Sequence, residues 1–232
     1  MGQISLSRPS KLIIGFIYRD ILTKNAALSF LKKRFGKIDF QSPELDFNYT
    51  DYYFPELGAP LKRAFISFAQ LKQEDELAGI KLHTNKLEEH FQLKGGSTTP
   101  IRLTSSFDKL RTNTERSRIC SFVQGCPERS RRTLTTGKRR INIDPGFLSL
   151  GKLILATTKD QCHRVYLGRG IFAEVTLFYK RKTFNPWPWT YLDYKSQEYI
   201  DIFNSIRAIY QKQIRYHLPT PPRYNKLLLG GK

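Results

Sequence analysis

Between Ile141 and Tyr179 the chain reads INIDPGFLSLGKLILATTKDQCHRVYLGRGIFAEVTLFY, which sets Asp144, Lys152, Lys159, Asp160, His163, Arg164 and Glu174 among apolar runs. Carboxylates can hold a divalent metal or move protons, and Lys and Arg can hold phosphate. A histidine titrates near neutrality and can serve as acid, base or ligand. If these groups converge, they line a polar cleft in the second half of the chain, suited to a small anionic or nucleotide-like ligand. Two other functions use the same residues. A metal-dependent phosphotransfer or phosphohydrolase enzyme would draw on Asp144, Asp160, His163 and Glu174, with a divalent metal as cofactor. An RNA-binding module without catalysis would use the basic face alone. The residue types leave open whether the protein is an enzyme.

Each feature also has a plainer reading. Asp144-Pro145-Gly146 is a turn sequence, so Asp144 can end a strand with no chemistry at all. Lys152 and Lys159, seven apart on an expected helix, would share a face that either holds phosphate or is merely solvated. Gly168-x-Gly170-x-x-Ala173 matches the dinucleotide-binding string. That fingerprint must open a helix, however, whereas Ile171, Ala173, Val175 and Leu177 alternate as a strand. The glycines therefore read as a hairpin turn placing Leu167 opposite Ile171, Tyr166 opposite Phe172 and Arg164 opposite Glu174. That pair is either an exposed salt bridge or part of a polar site floored by the sheet. Asp51 and Tyr52, in a polar aromatic group after a strand, are further ligand-binding candidates. The run Phe184–Tyr191, with both tryptophans, can stack a base or pack over a core edge. Walker A, HExxH, GxSxG and paired CxxC motifs are absent from the sequence.

The elements that must position these groups follow from periodicity. Lys11 to Tyr18 is a buried strand. A helix follows with Asp20 as N-cap and Gly36 beyond its end. Leu45, Phe47 and Tyr49 alternate, as do Ala64, Ile66 and Phe68, giving two strands, and Thr84 can cap a short helix through Phe91. In the second half, Arg140 to Ile143 is a strand and Leu150, Leu153, Ile154 and Thr157 mark one face of a helix. Two strands around Gly168-Arg169-Gly170 and a helix capped by Ser196 complete it. Each half thus reads β-α-β-β-α. The expected fold class is α+β, with two split βαβ, ferredoxin-like units packed as one compact domain.

The expected organisation is a first unit over 11–93, a disordered basic insertion over 94–138, a second unit over 139–215 and a flexible tail over 216–232. The insertion holds ten Lys and Arg against three acids, and only Phe107 and Phe122 among the aromatics. Its net positive charge therefore inflates the chain's +19, which by itself would suggest nucleic acid. The three cysteines fit reduced thiols better than a disulfide framework. No apolar run approaches the roughly 18 residues a membrane span needs, and the first residues lack a secretory pattern. A cytoplasmic protein with no membrane partner is expected, and its oligomeric state is open.

KLIIGFIY, the Thr50-Asp51-Tyr52-Tyr53 group, IKLHTNKLEEHF, RRINIDPGFLSLGKLILATTKD, HRVYLGRGIFAEVTLFY and PWPWTY occur in an order that resembles the prokaryotic family known as domain of unknown function 4416. The resemblance covers Lys11 to Gln213 apart from the segment 94–138. It implies a cytoplasmic single-domain protein and carries no activity with it. Family members pass almost directly from the Glu-Glu-x-Phe helix to the Arg-Arg-x-Asn-Ile-Asp strand, so the resemblance implies that 94–138 is an insertion. Its words SSFDKLRTNTERSR and GCPERSRR resemble the translation of a palindromic repeat element.

Overall fold

A computed structural model describes residues 7–92 and 139–217. The expected insertion and nearly all of the expected tail lie outside them. Nine strands form one sheet: β1 (Ser10–Tyr18), β2 (Ile38–Gln41), β3 (Leu45–Asp46), β4 (Lys62–Lys72), β5 (Ile141–Leu148), β6 (Lys152–Thr157), β7 (Val165–Gly168), β8 (Ile171–Lys180) and β9 (Thr183–Pro186). The order is β2-β4-β1-β5-β6-β8-β7, with β3 added to β4 and β9 to β8. Every pairing is antiparallel. The helices are α1 (Ile21–Phe35), the single turn α2 (Phe54–Leu57), α3 (Leu77–Gln92) and α4 (Gln197–His217). The α+β class is as expected.

Both sheet faces are covered, which is why the central strands are apolar throughout. Leu12, Ile14 and Phe16 of β1 and Ala64, Ile66 and Phe68 of β4 pack under α1 and α3. The alternate residues Ile13 and Phe65 meet Tyr199, Phe203, Ile206 and Tyr210 of α4. Asp20 caps α1 by accepting hydrogen bonds from the amides of Leu22 and Thr23, and Gly36 ends it with φ +89°. Ser196 caps α4, accepting from Tyr199 N. α4 then runs to His217, past the expected start of the tail.

The two expected βαββα units are corrected by β6. Lys152–Thr157 is a strand, not a helix. Leu153 and Leu155 point toward α4 while Ile154 and Ala156 point toward α1 and α3. A short run apolar on both sides satisfies helical and strand periodicity equally, and here the two covered faces decide for strand. The second half is therefore five strands and a helix. The split βαβ connectivity occurs once, in β1-α1-β2-β4-α3-β5 with spatial order β2-β4-β1-β5. Its last strand comes from beyond the segment 93–138.

Two local readings change as well. Thr84 lies inside α3, its hydroxyl donating to Lys81 O. The helix is started upstream by a capping box of Gln73 and Glu76. Asp144-Pro145-Gly146 is not a turn, because β5 runs through it, with Asp144 opposite Gly15 and Pro145 opposite Ile14 on β1. β6 pairs with β5 only over Gly146–Leu148, so the sheet splits beside Ile141–Pro145. In that gap Ile143 N donates to Glu88 Oε1 at 2.6 Å, and Lys81 Nζ donates to Ile143 O at 3.0 Å. Two side chains of α3 thus complete the edge that β6 leaves. Pro145 shares the parity of Ile143, so its missing N–H faces the split and removes no bond to β1. Where the strands do meet, a β-carbon on Gly146 would lie 2.4 Å from Ile154 O, so this close approach requires glycine.

Candidate functional site

Two clusters of charged side chains share the α4 side of the sheet. The outer one is built on β8 and the segment before β7. Gly168, Arg169 and Gly170 all have positive φ and make the expected hairpin. Tyr166 pairs with Phe172 as expected. Gly168 rather than Leu167 pairs with Ile171, because the register shifts by one residue after Tyr166. Arg164 precedes the strand, and its Nε donates to Glu174 Oε2 at 2.8 Å. Of the two readings of this pair, the exposed salt bridge is excluded, because the two side chains are 1% and 2% exposed. Arg164 spends its other nitrogens on Lys159 O at 3.1 Å and Tyr191 Oη at 2.7 Å. Glu174 also accepts from Thr176 Oγ1 and lies 3.3 Å from His163 Nε2.

Around this buried pair stand the groups that reach solvent. Lys159 Nζ donates to Tyr52 Oη at 3.1 Å and sits 4.3 Å from the centre of the Tyr52 ring. The His163 ring stacks on Trp189, and Trp189 on Trp187. Tyr52, Trp189 and Tyr191 are 60%, 41% and 49% exposed. The loop carrying Trp187–Tyr191 is pinned to β8 by Thr190 Oγ1 donating to Thr176 O at 2.6 Å. Half-exposed aromatics and an ammonium are thus held in place by a buried support, a combination that suits a planar ligand with a negative group.

The inner cluster lies on β4, β1 and β5, roughly 12 Å away by two strand spacings and two residues. Asp144 Oδ2 accepts from Asn142 Nδ2 at 2.6 Å, Oδ1 accepts from Lys81 Nζ at 3.3 Å, and Arg63 Nη1 stands 3.7 Å from Oδ2. Burial pushes the Asp144 carboxyl up, but Lys81 and Arg63 outweigh it and hold it below the usual carboxylate range. Burial raises the nearby Asp193, and Arg63 offsets that only in part. Glu88 is likewise raised by burial, against the opposing pull of Lys81 and Arg139. Arg139 joins Glu88 at 3.0 Å and Glu56 at 3.4 Å. Tyr53, next to Tyr52, is pushed up by burial and by Asp144.

The expected site residues are therefore divided. Lys159, His163, Arg164, Glu174 and Tyr52 come together in the outer cluster, whereas Asp144 belongs to the inner one. Asp160 and Asp51 are exposed. Lys152 opens β6 and Lys159 follows its end, so the expected shared helical face does not exist. Asp144, Asp160 and Glu174 do not converge. Among the described residues, no three His, Cys, Asp or Glu side chains are grouped to hold a metal ion. A shallow hollow lined by Leu28, Lys32 and Ile38 lies away from both clusters, beside β2.

Sequence reasoning missed Arg63, Lys81, Glu88, Arg139, Asp193, Tyr194 and Tyr199. Two signals were available. Gly15 interrupts an apolar strand, and a glycine there marks a close approach by another group. Arg63 opens the apolar run Ala64–Phe68 on the parity of Phe65. A β-carbon on Gly15 would lie 3.0 Å from Arg63 Nη2, so the glycine gives the guanidinium its path across β1 toward Asp144.

A model of one family matches residues 8–104 and 98–210, described as Domain of unknown function (DUF4416). The chain belongs to the DUF4416 family. The two matched stretches overlap over residues 98–104. No curated protein and no solved structure matches the chain significantly. The DUF4416 description assigns no activity, so chemistry is argued from the two clusters. Among the described residues, no helix is long and apolar enough to cross a membrane.

Proposed function

We propose that this protein binds a small nucleotide-like ligand, a planar ring bearing an anionic group, on the surface formed by Tyr52, Lys159, His163, Trp189 and Tyr191. The observation that carries the reading is the buried Arg164–Glu174 pair. It anchors Tyr191 and the Lys159 backbone directly and approaches His163, which stacks on Trp189. The aromatics remain exposed although their positions are held, so a ring can stack without the cost of ordering them. Lys159 lies at the edge of the Tyr52 ring and can meet the negative group. Metal-assisted phosphotransfer is not carried forward, because its carboxylates stand apart.

Trp187 and Trp189 are the only tryptophans in the chain, and both belong to this loop, so intrinsic fluorescence reports on the surface directly. Titration with adenosine monophosphate should quench it saturably. Lys159→Ala, which keeps both reporters, should weaken binding about tenfold, the equivalent of roughly 1.4 kcal/mol. Absence of a saturable change, or an unaltered titration in Lys159→Ala, would sink the reading.

A further inference from the structure

We propose that Arg63 and Tyr199 form a buried receptor for an oxyanion, a second phosphate or carboxylate of the ligand docked on the outer surface, beyond the one that Lys159 can meet. The inference deepens the preceding reading and rests on it for the remainder of the ligand.

The argument is an account of hydrogen bonds. A guanidinium offers five N–H donors, and buried donors are almost always paired. Arg63 is fully buried. Its Nη2 donates to Tyr194 Oη, while Nη1 stands 3.7 Å from Asp144, beyond hydrogen-bond range. Nε has no partner, and neither has the buried hydroxyl of Tyr199. Asp144 cannot be the missing acceptor without moving, because Asn142 and Lys81 already hold it. Asp144 is satisfied without Arg63, but Arg63 is not satisfied by Asp144.

The surroundings suit an anion. Phe65, Tyr194 and Tyr199 place their ring centres 4.7, 5.3 and 6.0 Å from the guanidinium carbon, fixing it in a water-poor setting where a charged hydrogen bond is strong. Burial works against the Arg63 charge, yet the neighbouring tyrosines, Asp193 and Asp144 keep the group firmly cationic. The side of the cluster nearest solvent is at Asp144, whose side chain beside Arg63 keeps 25% of its surface exposed. Tyr53, close to Asp144 and Arg63, and Tyr52, with ring centres 5.0 Å apart, connect the inner cluster to Lys159.

Thermal melting of the full chain with inorganic phosphate or acetate tests the receptor without any stacking ring. A rise in melting temperature with either oxyanion is expected. Tyr199→Phe removes only an unpaired hydroxyl. It should fold at least as stably as the parent without added anion, yet need about tenfold more anion for the same rise. Arg63→Met should lose the response. If the parent responds to neither oxyanion, or Tyr199→Phe responds as the parent does, the inference is overturned and a buried water is the better occupant. Adenosine, which carries no anion, separates the two readings through tryptophan fluorescence. Quenching by adenosine with no phosphate response defeats the receptor and leaves the outer surface standing. A phosphate response lost in Tyr199→Phe, without quenching by adenosine, defeats the outer surface and leaves the receptor.

Discussion

Arg164 and Arg63 are both buried on the same side of one sheet, and each faces a carboxylate, yet they are opposites in how their hydrogen bonds are used. Arg164 donates to Glu174, Lys159 O and Tyr191, and Glu174 accepts from Thr176 besides. Arg63 donates to Tyr194, reaches Asp144 only at 3.7 Å and leaves Nε without a partner. The first arrangement is closed, so a ligand would have to break it to enter. The second is incomplete, so an acceptor can be added without breaking anything. A buried ion pair is thus not a site by virtue of its charge; unspent hydrogen-bonding capacity separates support from receptor.

The largest effect should come from breaking the closed pair. Glu174→Gln leaves the Arg164 charge buried without its counter-ion, and a loss of about 3–5 kcal/mol in unfolding free energy is expected. Urea denaturation measures it. The phosphate response assigned to Arg63 should survive in whatever fraction remains folded. If the substitution is silent for stability, Arg164 is not the closed support described above.

A smaller effect is expected at Gly15. Gly15→Ala places a β-carbon 3.0 Å from Arg63 Nη2 and 3.1 Å from the Phe65 ring, so the guanidinium and the ring must shift together. Overpacking of this kind costs about 1–3 kcal/mol. Gly15→Ala should therefore lower the urea midpoint and weaken the phosphate response, while leaving adenosine quenching at the outer surface intact. Loss of quenching as well would show that the two clusters are not separable.

The smallest effect is in the pH dependence, where Asp144 and Asp193 should act with opposite signs. The Asp144 pKa is depressed in the folded protein, so its contribution is present above the unfolded value of about 3.9 and is lost as pH falls through the folded value. The Asp193 pKa is raised, so it costs nothing below the unfolded value, and its cost grows as pH rises from the unfolded value to the folded one and stays constant above it. Asp144→Asn should therefore be less stable than the parent at pH 7, with the deficit narrowing in acid. Asp193→Asn should compare best with the parent at pH 7. Urea midpoints at pH 7 and pH 4 decide, and parallel profiles for the two variants would remove the electrostatic distinction.

The sequence by itself determined what depends on neighbours along the chain. Asp20, Gly36 and Ser196 mark helix ends because a cap acts within one turn. Gly168-Arg169-Gly170 marks a hairpin, and that hairpin, with the one-residue shift after Tyr166, brings Arg164 to Glu174. The order of blocks along the chain determined the family. Tertiary structure alone decided the rest. Leu150–Thr157 suits a helix or a strand by pattern, and became β6 because apolar cores lie on both its sides. Asp144-Pro145-Gly146 has turn chemistry, yet β5 continues because β1 pairs with it and Lys81 and Glu88 serve its open edge. The inner cluster gathers Arg63, Lys81, Asp144 and Asp193 from four segments distant in sequence. No local pattern encodes that meeting: it is set by strand order, by the split between β5 and β6, and by the absence of a side chain at Gly15.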